Sequence, residues 1–189
     1  MKSRELYGLV LTGGRSTRMG IDKGHINYHG KPQQEHLFDL LTKFCDMVFT
    51  SCVERQDISP TLNPIYDKFT FESPLNGILS AFELHPHKAW FTVAVDMPFV
   101  NDRVLEFLVE NRDTTKVATC FYDSAGKLPE PLLTIWEPSS FSLLMKFNQR
   151  GGISPRDFLV AHNCKKIIST ESKVHVNINT PDDFLKLKN

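Results

Sequence analysis

An excess of charge of one sign is missing from this sequence of 189 residues, because 22 Lys and Arg residues balance 22 Asp and Glu residues. A neutral chain has no general attraction for nucleic acid or for an anionic membrane, so neither partner is expected. The sequence also lacks an apolar run near the ~20 residues that span a bilayer, and the short run after the amino terminus is too brief for a secretory signal. We therefore expect a cytoplasmic protein whose affinity for any polyanionic substrate comes from a local cluster of charges.

Patterns of metal-binding cysteine and histidine are lacking as well. The four cysteines are widely spaced and form no Cys-x-x-Cys pair, and the seven histidines show no zinc spacing. Buried thiols in a reducing compartment are the interpretation that we favour. Hydrophobic residues make up 41% of the chain and charged residues 23%, which is typical of a globular protein. The length and the absence of linkers or repeats predict one domain over residues 1–189.

What the sequence does contain is an alternation of apolar runs with segments of helical periodicity. Strands are predicted at 6–11, 47–52, 89–95, 117–121, 131–136 and 166–168. Helices are predicted at 34–45, from Pro74, after Asn101, at 139–147, at 155–162 and after Thr180. This order predicts an α/β fold of three layers, α/β/α, with a mostly parallel central sheet. In such sheets ligands bind beyond the carboxyl ends of the strands.

The segment after the first strand, Leu11 to Lys23, combines glycines with Arg15, Arg18 and Lys23 in a chain without net charge. Glycines let backbone N–H groups point at phosphate oxygens, and the bases supply positive charge. The spacing fits neither the P-loop nor the dinucleotide-binding fingerprint. On pattern alone the segment is either a phosphate-binding loop or a glycine turn with solvated bases.

This loop resembles the nucleotide-binding loop of the molybdenum cofactor guanylyltransferases, whose pattern is Leu-x-Gly-Gly-x-Ser-x-Arg-Met-Gly-x-Asp-Lys. The matching residues are Leu11, Gly13, Gly14, Ser16, Arg18, Met19, Gly20, Asp22 and Lys23. Other motifs of that family follow in the same order, namely Gly30-Lys31-Pro32, Pro74-Leu75-x-Gly77-Ile78, Asp96-Met97-Pro98-Phe99, Pro129-Glu130-Pro131-Leu132 and Val176-Asn177-Ile178-Asn179-Thr180-Pro181. The resemblance implies the Rossmann-like fold of nucleotide-diphospho-sugar transferases, with a nucleotide-binding half at about 1–110 and an acceptor-binding half at about 111–189.

The resemblance also implies roles for individual residues. Catalysis would depend on Lys23, Arg18 and Asp96, and Asp96 would hold Mg²⁺. The nucleotide would be bound by Leu11, Thr12, Gly13, Gly14, Ser16, Lys23, Thr50, Asp67 and Asp96. The acceptor would be bound by Arg156, Asn177 and Asn179.

Plainer alternatives stand beside several of these roles. Asp96 could cap a turn or a helix before Pro98, and Asp67 could be a solvated loop carboxylate. Arg156 could be an exposed arginine at a helix start, and Asn177 and Asn179 could hold the turn before the last helix.

The sequence departs from the family pattern at two places. Thr50 and Ser51 stand where the family often has an asparagine after the second strand, which puts that nucleotide contact in doubt. Glu72 and Ser73 stand where a glycine usually precedes Pro74, and this change affects the loop expected near the base.

The activity that the resemblance implies is transfer of GMP from GTP to molybdopterin, with release of pyrophosphate and formation of the guanine dinucleotide cofactor. GTP and the molybdopterin cofactor are then the substrates, and molybdoenzyme maturation proteins are conceivable partners. Alternatives of the same chemistry are cytidylyl transfer to molybdopterin, guanylyl transfer to a cobalamin precursor and nucleotidyl transfer to a sugar phosphate. A different class of alternative is a nucleotide-binding maturation subunit without catalytic activity, against which the presence of Lys23 and Asp96 argues.

Overall fold

A computed structural model of the chain describes residues 6–12, 23–54, 56–122, 127–168 and 178. Its strands are β1 (Leu6–Leu11), β2 (Met47–Cys52), β3 (Pro64–Tyr66), β4 (Ala89–Ala94), β5 (Ala118–Tyr122), β6 (Pro129–Trp136) and β7 (Lys165–Ile167). Its α-helices are α1 (Gln33–Thr42), α2 (Pro74–Leu84), α3 (Asp102–Glu110), α4 (Ser140–Gln149) and α5 (Pro155–Ala161). Short 3-10 helices lie at Lys23–His25 and Pro60–Leu62.

The strands form one sheet in the order β3-β2-β1-β4-β6-β5-β7. The pairs β1–β2, β1–β4, β2–β3 and β5–β7 are parallel, whereas β6 runs antiparallel to both of its neighbours. The prediction of a mostly parallel sheet is therefore confirmed, with β6 as the strand that departs from it. The sheet takes strands from both predicted halves of the chain.

Both faces of the sheet are covered, as the continuous burial of β4 requires. An ion pair between Lys43, the residue after α1, and Asp102 at the start of α3 connects these two helices. Stacking of Phe82 on Phe141 joins α2 to α4 on the other face, where the ring centroids lie 5.4 Å apart. This arrangement confirms the three-layer α/β/α architecture.

The helix starts follow local capping rules. Ser73 caps α2, and its hydroxyl accepts the N–H of Leu75. Asn101 caps α3 through the N–H of Val104 in the same way. Ser154 caps α5, where Pro155 occupies the first turn. The predicted starts at Pro74 and after Asn101 are confirmed.

Other boundaries moved by a few residues, and one strand was not predicted. The strand β3 has three residues and begins with a proline, so it offered little periodicity to detect. The helix predicted after Thr180 lies outside the described residues. Within the described part, no helix is long and apolar enough to cross a membrane. All four cysteines belong to the described part and are free thiols. Cys45, Cys52 and Cys120 are buried, as expected, whereas Cys164 is partly exposed.

The sheet brings polar residues to one edge. Thr12, Asp67 and Asp96 follow the parallel strands β1, β3 and β4, and Ser51 lies near the end of β2. Because β6 is antiparallel to β4, with Leu133 opposite Val93, its first residues, including Glu130, lie at this same edge. We call this the carboxyl edge of the sheet.

The first turn of α2 approaches the carboxyl edge closely at Gly77. A Cβ at this position would overlap the Ser51 hydroxyl and lie 2.9 Å from the Ser51 Cβ and 3.2 Å from Leu11 Cδ2. Real Cβ atoms do not sit so near their neighbours, so only glycine allows this contact of helix and strands.

We expect Gly77→Ala to lower the free energy of unfolding by roughly 1–2 kcal/mol. Alanine favours a helix by about 1 kcal/mol, but overpacking costs about 1–3 kcal/mol and displaces Ser51. Urea unfolding measures the difference, and Leu84→Ala, at a side chain that is 49% exposed on the same helix, is the control with little effect. A Gly77→Ala protein as stable as the wild type would contradict the close contact.

Candidate active site at the carboxyl edge of the sheet

Asp96 follows β4 by two residues and lies at the centre of the carboxyl edge. As a residue it is partly exposed, yet its Oδ1 atom is buried and has no hydrogen-bond partner within the described part of the chain. Its backbone carbonyl accepts the N–H of Ile178 at 2.8 Å. The backbone is thus fixed while one carboxylate oxygen is left to bind something else.

Lys23 brings positive charge close to the Asp96 carboxyl. Its Nζ donates to the carbonyl of Ile178 at 3.4 Å, so Ile178 connects Lys23 with Asp96. Burial raises the pKa of the Asp96 carboxyl above its ordinary value, and the charge of Lys23 works against that rise. The structure therefore brings together two residues that the sequence predicts to be catalytic, although 73 positions separate them.

The donor set at Asp96 fits Mg²⁺. This ion takes one or two carboxylates and completes its shell with water and substrate phosphates. An orphaned, buried carboxylate oxygen is costly unless a cation or a donor meets it. Within the described residues no three His, Cys, Asp or Glu side chains form a metal-binding group.

Thr12 connects the end of β1 to β2. It is 1% exposed, and its hydroxyl donates to the carbonyl of Ser51 at 2.7 Å. Gln56 approaches the same residue, with Nε2 3.5 Å from the Thr12 carbonyl, while Gln56 Oε1 accepts the N–H of Val53 at 3.0 Å. These bonds fix the chain where the predicted nucleotide loop begins.

Ser51 is the residue of β2 that faces the candidate site. Its hydroxyl donates to Asp67 Oδ1 at 3.1 Å. Its neighbour Thr50 is fully buried, and its Oγ1 finds no hydrogen-bond partner among the described residues. The nucleotide contact predicted for Thr50 stays a prediction, and Ser51 is the better placed of the two.

Asp67 is held beside β2 by its N–H, which donates to the carbonyl of Cys52 at 2.9 Å. Burial raises the pKa of its carboxyl from 3.8 to about 6, and the hydrogen bond from Ser51 opposes that rise. A solvated loop carboxylate would not be shifted in this way. Asp67 is therefore a partly buried acid at the carboxyl edge.

Arg156 lies at the start of α5 and contacts the first residues of β6. Its Nε donates to the carbonyl of Pro129 at 3.2 Å, and its Nη2 lies 3.5 Å from Glu130 Oε2. It therefore lies at the carboxyl edge, and its role on the acceptor side stays a prediction. The predicted site residues Gly13, Gly14, Ser16, Arg18, Asn177 and Asn179 lie outside the described residues.

Sequence reasoning assigned no role to Ser51, Gly77 or Glu130. Gly77 and Glu130 were named only as members of family motifs, and Ser51 only as part of a departure from the family pattern. Those signals indicate a special position, but the partner of each residue is distant in sequence.

Replacing Asp67 by asparagine should change how stability depends on pH. An acid with a raised pKa in the folded state contributes stability that is complete below its unfolded pKa of 3.8 and is lost as pH rises through about 6. Asp67→Asn removes that titration. As the pH rises from 4 to 7, the wild type should therefore lose stability that Asp67→Asn keeps. After allowance for solvent screening, we expect the free energy of unfolding of Asp67→Asn to rise relative to that of the wild type by on the order of 1 kcal/mol.

Urea unfolding of both proteins across this pH range measures the gain. Ser51→Ala removes the hydrogen bond that lowers the Asp67 pKa, so the inflection should then move to higher pH. A stability difference that is constant from pH 4 to 7 would rule out the raised pKa.

Known proteins are similar to this chain in sequence and in fold. A family model of the MobA-like NTP transferase domain matches residues 8–166. A bifunctional molybdenum cofactor biosynthesis protein of Synechocystis is 35% identical, covering 95% of this chain and 52% of that protein. A molybdenum cofactor guanylyltransferase of Serratia proteamaculans is 29% identical, covering 96% of this chain and 93% of that protein.

Among solved structures, molybdopterin-guanine dinucleotide biosynthesis protein A from Archaeoglobus fulgidus superposes with a TM-score of 0.75 at 24% identity, over 95% of each chain. This match confirms the Rossmann-like fold. The chain spans about half the length of the Synechocystis relative and nearly all of the Serratia one. Because the family model covers most of the sequence, the resemblance inferred from the motifs is confirmed, and the chain belongs to the MobA-like NTP transferase family.

Proposed function

We propose that this protein transfers GMP from GTP to the molybdopterin cofactor, with Mg²⁺ held by Asp96, and releases pyrophosphate. The observation that carries the proposal is the Oδ1 of Asp96, which is buried without a hydrogen-bond partner among the described residues and lies beside Lys23 at the carboxyl edge. Support also comes from the relatives, one of which is named a molybdenum cofactor guanylyltransferase and is similar over nearly its whole length.

The reaction needs no covalent intermediate on the enzyme. An oxygen of the terminal phosphate of molybdopterin forms a bond to the α-phosphorus of GTP. The bond from that phosphorus to the bridging oxygen breaks, and the electron pair leaves with pyrophosphate. Two anions must therefore be brought together, and charge accumulates on the leaving group, so positioning and neutralisation supply the catalysis.

Lys23 is a described cation that lies near the Asp96 carboxyl. Its Nζ is held by the carbonyl of Ile178, close enough to Asp96 to affect the pKa of that carboxyl. From there it would neutralise phosphate oxygens of the nucleotide. When bound, Mg²⁺ supplies a Lewis acid that neutralises the same phosphates. Asp96 would hold the ion through the oxygen that now has no partner in the described part.

The choice of base is the finer part of the proposal. Guanine presents an N1–H and an amino group, which require carbonyl or carboxylate acceptors. Asp67 is such an acceptor at the carboxyl edge, and above pH 6 it is ionised. A site with buried acceptors discriminates against a base without matching donors, because the acceptors are left unpaired.

We also propose that the finished cofactor is delivered to molybdoenzyme maturation proteins and that the protein is cytoplasmic. Cytidylyl transfer, other acceptors and a non-catalytic maturation subunit are the outcomes that the experiments below distinguish.

Asp96→Asn should abolish at least 99% of pyrophosphate release, because the amide keeps the shape but loses the charge that would hold Mg²⁺. The variant should fold, and its melting temperature without metal should equal or exceed that of the wild type, since a poorly solvated charge is gone. Pyrophosphate release and GTP binding without metal are measured in parallel. Near-normal turnover at low millimolar Mg²⁺ would exclude Asp96 as the metal ligand.

The substrate assignment is tested by screening the four nucleoside triphosphates against molybdopterin, a cobalamin precursor and sugar phosphates. We expect kcat/KM for GTP with molybdopterin to exceed that for CTP at least 100-fold, the ratio that unpaired acceptors typically produce (about 3 kcal/mol). A wild-type protein that uses CTP equally well would defeat the guanylyl assignment. Turnover with no pair of substrates would favour the non-catalytic alternative.

A further inference from the structure

The feature that the proposed reaction does not yet use is a buried acid on the acceptor side. Glu130, in the first part of β6, is 3% exposed. Its Oε1 accepts the N–H of Leu132 at 3.1 Å, and its Oε2 lies 3.5 Å from Nη2 of Arg156. A carboxylate in such a place needs a positive partner, because desolvation disfavours its charge.

Arg156 is such a partner, yet its Nη2 lies 3.5 Å from the carboxylate oxygen, which is long for a hydrogen-bonded ion pair. The guanidinium donates through Nε to the carbonyl of Pro129 at 3.2 Å, and the side chain remains 39% exposed. The chain that carries Arg156 is tied down as well. Ser154 caps α5, and the hydroxyl of Ser73 donates to the carbonyl of Ile153.

A second buried pair at the other end of β6 provides a comparison within the same molecule. Glu137 accepts from Nε and Nη2 of Arg112 at 2.6 and 2.8 Å, and the Arg112 side chain is only 11% exposed. Both donors of that fork point at the carboxylate, which is the arrangement of a closed structural ion pair. It lies at the edge where β4 and β5 begin, away from the candidate site.

The two pairs therefore differ in what the arginine can still do. Arg112 directs both donors of its fork at its own acid, whereas Arg156 donates through Nε to Pro129 at the carboxyl edge and keeps a side chain that is 39% exposed. We propose that Glu130 is a positioning residue that holds Arg156 at this edge so that its guanidinium binds an anionic phosphate group of the acceptor. This inference rests on the proposed function, in which Arg156 belongs to the acceptor side.

Positioning and simple electrostatics predict opposite changes in acceptor binding when Glu130 is replaced by glutamine. Glu130→Gln keeps the length of the side chain and the oxygen that accepts from Leu132, but it removes the negative charge. Electrostatics alone would then strengthen binding of an anion near Arg156. Positioning predicts the opposite, because Arg156 loses the partner that orders it. We expect the KM for molybdopterin to rise about tenfold, which is ~1.4 kcal/mol, with kcat and the KM for GTP within twofold of the wild type.

Glu137→Gln is the matched control, since it removes an equally buried acid that directly follows the same strand. It should lower stability but leave the KM for molybdopterin unchanged. Adding Glu130→Gln to Arg156→Ala should raise that KM no further, because the two residues act through one interaction. An unchanged or lower KM for molybdopterin in Glu130→Gln overturns the inference while leaving the proposed function intact.

NMR of the Arg156 Nε–H group provides a readout that does not depend on turnover. The signal is assigned by its loss in Arg156→Lys, and inorganic phosphate is the titrated probe. In the wild type we expect the signal to shift with phosphate, and in Glu130→Gln to exchange faster and respond at least fivefold more weakly.

If the wild type transfers no GMP but the two NMR responses differ as expected, the proposed function fails and the positioning role stands. Equal responses to phosphate in both proteins overturn the positioning role, whatever the activity assay gives.

Discussion

The arrangement of the carboxyl edge depends on one carboxyl group, that of Asp96, because burial makes its negative charge costly. One of its oxygens is buried without a partner in the described part of the chain, and burial raises its pKa. Such a group requires positive charge nearby. Lys23 supplies some of it, and Ile178 connects the two by accepting from Lys23 and donating to the Asp96 carbonyl. Three segments distant in sequence are thereby fixed at one point, where a bound Mg²⁺ would supply the rest of the positive charge.

Strand β6 runs antiparallel to its neighbours, and this reversal determines which of its residues lie at the carboxyl edge. In a parallel strand the residues at this edge would be the last ones, but in β6 they are the first, Pro129 and Glu130. Glu130 then meets Arg156 from α5, which packs beside the strand. Two of the acids at this edge, Asp96 and Glu130, thus each have a cation nearby, and the two cations approach from different elements. Separate binding of two anionic substrates, which the proposed reaction needs, is compatible with this division.

Much of the scaffold could be predicted because it depends on local rules. The strand from Leu6 to Leu11 is a continuous apolar run, and Ser73 and Asn101 are capping residues at the expected positions. The strand β3 was missed because three residues starting with a proline carry no periodicity. The contacts of the site were missed for a different reason. Ser51 with Gly77, and Glu130 with Arg156, are pairs whose members lie far apart in sequence, so no local pattern indicates them.

One departure from the family pattern, that at Thr50 and Ser51, affects the contacts of the carboxyl edge. An asparagine is the common residue near this position, and its longer side chain would need the space that Gly77 and Asp67 share with the Ser51 hydroxyl. A serine lets α2 pack against the strand and still provides a hydrogen bond to Asp67. That hydrogen bond favours the ionised carboxyl, in opposition to burial. In the proposed site, the acceptor offered to the donor edge of guanine would then be the Asp67 carboxylate in place of an asparagine amide.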